Sequence, residues 1–103
     1  MTQTYELGSL IQRMDSSSSN LLAEVTSAAA SAAFATTTTA IRVVCEPVAV
    51  HFMINTNPTA TTVDPLIPIN TVEYFRVDPG DKLSAVRWGG AGSANVYITE
   101  IAV

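Results

Sequence analysis

Residues 71–87 read TVEYFRVDPGDKLSAVR, and Asp78, Asp81 and nearby Glu73 form the densest group of carboxylates in the chain. Two carboxyls so close could act as an acid and base pair, or with Glu73 offer oxygen ligands to calcium. A simpler task explains the same residues. Pro79 presets the first central position of a type II turn, Gly80 supplies the positive φ of the second, and flanking Asp side chains bond the backbone of tight turns. We therefore read Asp78-Pro79-Gly80-Asp81 as the turn of a hairpin between Val72–Val77 and Lys82–Trp88, with Phe75, Val77, Leu83 and Ala85 on its inner face.

The other reactive residue types stand alone. His51 is the only histidine, and general base work would require an orienting carboxylate and a nucleophile beside it. Cys45 is the only cysteine, so it forms no intrachain disulfide, and no His, Asp or second Cys stands at a zinc spacing around it. It reads as a buried strand thiol. Gly89-Gly90-Ala91-Gly92 lacks the Lys-Ser/Thr and the helix start of a phosphate cradle. Trp88, Tyr74 and Tyr97, with His51, could form an aromatic platform for a sugar or a protein partner, because amphipathic rings lose little entropy when bound. Packing in a core or interface is the competing use. No catalytic, metal-ligating or cofactor-binding constellation results, and the expectation is a protein that is not an enzyme.

The elements that would position these residues divide near Thr36. Before it lie Ser and Ala tracts; after it lie β-branched and aromatic runs punctuated by Pro, Gly and Asn. Leu7, Leu10, Ile11 and Met14 recur at the i, i+3, i+4, i+7 spacing of one helix face, which predicts a short amphipathic helix over Tyr5–Met14. Asp15–Asn20 is a Ser-rich linker or cap region. Leu21, Leu22, Val25, Ala28, Ala29 and Ala32 again fit a helix, leading into a first strand near Ser31–Thr39.

From Ala40 the period changes to two. Ile41, Val43 and Cys45 alternate with Arg42, Val44 and Glu46, and Pro47 ends or bends that strand. Val48, Val50, Phe52 and Ile54 form the cleanest strand, Asn55–Pro65 an exposed connection, and Leu66–Ile69 an edge piece limited by Pro65 and Pro68. A last strand covers Asn95–Ile101. Strands this short, with no long helix between them, predict an all-β fold. The expected form is a small antiparallel β-sandwich or jelly roll over residues 31–103, preceded by a partly helical arm over residues 1–30.

Composition narrows the partners. A length of 103 residues allows one domain. The net charge of −4, with only five scattered Lys and Arg, opposes nucleic acid. Charged residues are only 14% of the chain, low enough to suggest surface covered by other subunits. No basic, apolar leader and no run of membrane-spanning length is read, so the chain is expected without a signal peptide and outside membranes.

The residues after Ala32 resemble a group of small tailed-bacteriophage virion proteins. The resemblance is carried by Ala32-Ala33-Phe34, Ile41-Arg42-Val43-Val44, Asn55-Thr56-Asn57-Pro58-Thr59-Ala60, Glu73-Tyr74-Phe75-Arg76-Val77 with Asp78-Pro79-Gly80-Asp81-Lys82-Leu83, and Val96-Tyr97-Ile98-Thr99-Glu100. It implies a β-sandwich made in the host cytoplasm and carried on the particle, as a capsid decoration (cement) protein or as part of a head or tail fibre. It supplies no catalytic residues. The expected partners are the major capsid protein and further copies of the chain, as dimer or trimer, with Leu7, Leu10, Ile11 and Met14 docking the arm. In the fibre alternative, Trp88, Tyr74 and Tyr97 would stack on host polysaccharide.

Overall fold

The computed structural model of the chain describes residues 19–90 and 92–102. Eight strands follow one another: β1 (Ser19–Val25), β2 (Ala29–Ala30), β3 (Thr38–Glu46), β4 (Val50–Asn55), β5 (Leu66–Ile67), β6 (Glu73–Arg76), β7 (Lys82–Arg87) and β8 (Ala94–Ala102). They build two antiparallel sheets, ordered β1-β8-β3-β6 (sheet A) and β2-β7-β4-β5 (sheet B). The all-β expectation holds, with no helix among the described residues. The helix expected over Tyr5–Met14 lies outside them.

Period-two patterning places the core. Ile41, Val43, Cys45, Val96 and Ile98 project from sheet A, and Val50, Ile67, Leu83 and Ala85 from sheet B, into one shared cluster. Most of these side chains have no exposed surface, and each fully buried aliphatic stabilises by about 1.5–3 kcal/mol relative to exposure. Phe52 and Phe75 meet across the core as a tilted pair, centroids 4.8 Å apart. Cys45 closes one end, its thiol donating to the Ile67 and Pro68 carbonyls at 3.4 and 3.6 Å. Burial is the main cause that pushes this thiol above its ordinary pKa.

The expected hairpin is corrected. The turn itself forms: the Asp81 N–H donates to the Asp78 carbonyl at 3.1 Å, and Gly80 takes a φ of 84°. Its two flanks nevertheless part company. β6 pairs with β3 in sheet A, whereas β7 pairs with β2 and β4 in sheet B. The turn is an arch between the sheets. Phe75, Val77, Leu83 and Ala85 still point to the core, because strands in facing sheets turn the same alternating positions toward each other.

The helix expected from Leu21 is also corrected, to strand β1. Leu22 packs against the core and Val25 is buried, although residues three apart on a regular strand point to opposite faces. A bulge between them, with Glu24 at φ 53°, adds the residue that restores Val25 to the inside. Residues 19–30, placed by composition in the arm, thus supply β1 and β2.

The Asn55–Pro65 connection is less exposed than expected. It folds back on the outer face of sheet B, burying Pro58 and Ala60, and the Ala60 N–H donates to the buried Ser84 hydroxyl at 2.9 Å. His51 Nδ1 donates to the Asp64 carbonyl at 2.8 Å, and the Phe52 N–H to the Pro65 carbonyl at 2.9 Å. Sheet B is therefore covered on both faces over part of its area.

Candidate functional site

Among the described residues, no connection folds over the outer face of sheet A in this way. On its outer face the ladder register aligns Leu21, Tyr97 and Val44 in one row and Thr99, Arg42 and Tyr74 in the next, with Val72 just before β6. Leu21 is 56% exposed and Tyr74 and Tyr97 about two fifths. Such a contiguous, weakly charged face is the kind of surface that marks a protein contact. One polar lock runs along it: the Tyr97 hydroxyl donates to Glu46 at 2.9 Å, which raises the phenol above its ordinary pKa. Asn95 Nδ2 adds a longer contact to the same Glu46 oxygen at 3.4 Å.

A second surface lies at one end of sheet B. Trp88, just after β7, donates its backbone N–H to the Ala49 carbonyl at 2.8 Å and is 57% exposed as a residue. The ring walls a groove of about 490 Å³ with Pro47, Val48, Leu66, Pro68 and Ile69. The sequence explains the groove. Pro65 and Pro68 cut β5 to two residues, so Leu66 and Ile69 remain uncovered beside the buried Ile67. On the opposite side Arg87 donates to the Gly92 carbonyl at 2.6 Å, tying down the glycine-rich turn. A Cβ on Gly92, whose φ is 81°, would meet Val48 at 3.2 Å, so this close packing calls for glycine.

The expected aromatic platform is divided between these surfaces. Tyr74 and Tyr97 share the face of sheet A, whereas Trp88 belongs to the groove on sheet B. His51 holds the Asn55–Pro65 connection and is not part of either surface. Asp81 accepts the Asp78 N–H at 2.9 Å, so its carboxylate serves the turn. Glu73 pairs with Val43 in the sheet A ladder. Among the described residues no three of His, Cys, Asp and Glu group as metal ligands. Leu7, Leu10, Ile11 and Met14 lie outside the described residues.

Pro47, Val48, Leu66, Ile69, Leu21 and Val72 were not singled out from the sequence as surface residues. A signal for two of them existed: Leu66-Ile67-Pro68-Ile69 packs three large aliphatics into an edge too short to bury them all. Comparison of the chain with protein-family models, curated proteins and solved structures finds no match.

Proposed function

We propose that this chain is a non-enzymatic structural protein of a phage virion, a capsid decoration (cement) protein that bridges neighbouring major capsid subunits and stabilises the shell. The observation that carries the reading is the open, weakly charged outer face of sheet A, and the strand order supplies its setting. Pairing β1 with β8, β2 with β7, β3 with β6 and β4 with β5 is what an antiparallel ribbon doubled between β4 and β5 produces. Wrapping that ribbon into two sheets brings β8 beside β3 and β7 beside β4, which is the arrangement of a jelly roll. Jelly rolls serve in viral capsid domains, lectins and cupins, so the fold alone does not choose among them.

The surfaces favour the capsid use. A sugar site needs polar groups convergent on hydroxyls, and a cupin needs a cluster of metal ligands. Here the groove beside Trp88 is walled by aliphatic side chains and proline rings. The bare face of sheet A and the low charge suit adhesion through many small contacts, at about 25 cal/mol per Å² before association costs. Separation of Trp88 from Tyr74 and Tyr97 weighs against the fibre alternative, in which the three would stack on one glycan.

The number of copies per particle tests the proposal. Quantitative mass spectrometry of purified particles is expected to find this chain in amounts comparable with the major capsid protein. A stoichiometry matching a tail or fibre component, or absence from particles, would overturn it.

A further inference from the structure

We propose that the groove beside Trp88 is the receptor for the N-terminal segment of a second copy, with Leu7, Leu10, Ile11 and Met14 as the inserted side chains. The inference deepens the assembly reading and rests on it only for its biological setting. Three observations carry it.

The first is chemical fit. The groove is apolar, about 490 Å³, and within the range of about 300–1,000 Å³ that side-chain and ligand pockets occupy. An amphipathic helix enters such grooves through anchors at i, i+3, i+4 and i+7, and the four residues of the segment have that spacing. On a helix they would span about 10 Å. Glu6 and Arg13 would lie about 100° away from the stripe, left in water.

The second is supply. The described residues leave the groove open, with Trp88 57% and Leu66 and Ile69 each 44% exposed. Eighteen residues precede Ser19, and their sequence carries the apolar stripe Leu7, Leu10, Ile11 and Met14.

The third is reach, which favours a neighbour's groove over the chain's own. Ser19 stands opposite Thr99, and Thr99 opposite Arg42, on β1 at one edge of sheet A. The groove lies beyond the Glu46 end of β3, at the end of sheet B where Pro47, Val48, Ala49, Leu66, Ile69 and Trp88 meet. With strands about 4.8 Å apart, a rise of about 3.3 Å per residue and sheets about 10 Å apart, the separation is roughly 20 Å or more even in a straight line. Met14 is five residues from Ser19 and reaches at most about 18 Å with the linker fully extended. Seating Met14 in the groove of its own chain would therefore stretch the linker to nearly its full length. A neighbouring copy has no such restriction.

Trp88 is the only tryptophan, so its emission reports the groove directly. The experiment compares the full-length chain with Leu10→Asp/Ile11→Asp in the segment and Leu66→Asp in the groove, by light scattering and tryptophan fluorescence over a dilution series. The wild type is expected above monomer mass, with emission that moves to the red on dilution. Each variant is expected as a monomer with red emission at every concentration. An equal mixture of the two variants is expected to recover heterodimers and the blue shift, because one intact segment then meets one intact groove. That recovery also shows that both variants are folded. A monomeric wild type, variants that keep the wild-type mass, or a mixture that stays monomeric would overturn the proposal. So would blue emission at monomer mass, the result expected for docking within one chain. Particle binding is scored separately on shells: a monomeric wild type that still decorates them sinks segment exchange alone, and an oligomer absent from particles sinks decoration alone.

Discussion

Glu100 shows how much one side chain on β8 holds together. Its Oε1 accepts the Thr38 hydroxyl at 2.7 Å and the Ala35 N–H at 2.9 Å, while Oε2 accepts Asn20 Nδ2 at 2.8 Å. One carboxylate thereby ties β1, the start of β3 and the connection that precedes it. Hydrogen bonds to charged groups contribute about 1.5–3 kcal/mol each, but this site is partly open to solvent and the bonds share one acceptor group. Glu100→Ala is expected to cost about 2 kcal/mol, read as a lower urea midpoint with an unchanged slope, because Thr38 is left buried without its acceptor. Glu100→Gln, which keeps one acceptor oxygen, should lose less. Equal midpoints for wild type and Glu100→Ala would show that the network contributes nothing. None of this was legible in the sequence, where Glu100 ends a strand-like run and its partners stand 62 to 80 residues away.

At the scale of elements, alternation was the readable part of the chain. Ile41, Val43 and Cys45, then Val50, Phe52 and Ile54, share one strand face by alternation, and each set lies in or against the core, because a strand with one buried side repeats every two residues. Two things escaped that logic. A bulge changes the local count, so the spacing of Leu22 and Val25 imitated a helix. Alternation also carries no information about which sheet a strand joins: the pattern around Asp78–Asp81 is the same for a hairpin as for an arch. For the candidate site, Trp88, Tyr74 and Tyr97 were legible as candidate contact aromatics with core packing as the competing use, but their division between two sheets depends on partners chosen across the whole chain. The arch depends on its glycine. Gly80→Ala would place a Cβ where nothing lies within 4 Å, so its cost comes only from holding φ near 84°, about 1–2 kcal/mol. Thermal unfolding should fall accordingly. An unchanged midpoint would mean that the turn can relax without strain.

At the scale of the molecule, the two sheets have different exposures to the outside. Sheet B carries its own cover over Ser84, and sheet A shows Leu21, Tyr97 and Tyr74 to whatever lies against it. If the proposed role in a shell holds, one covered and one open face would give the domain an inside and an outside, and the open face of sheet A is the one proposed for capsid contact. The position of β8 has a consequence for synthesis. In sheet A it lies between β1 and β3, yet it is the last of the eight strands to be translated. Until it emerges, β1 has no ladder partner in its sheet and β3 has only β6, so their apolar inner faces must wait in a growing chain for a strand made up to 75 residues later. Folding dominated by such distant pairings is slow. A nascent chain halted at Ser93 is expected to remain protease-sensitive and to bind hydrophobic-surface dyes, becoming resistant only when residues 94–102 are added. Resistance before then would mean that sheet B and half of sheet A form an earlier stable unit. If β8 is the strand that closes the fold, a host cell is left holding an adhesive intermediate for most of the time it takes to make each copy, and high-level production of this chain becomes a test of host chaperone capacity.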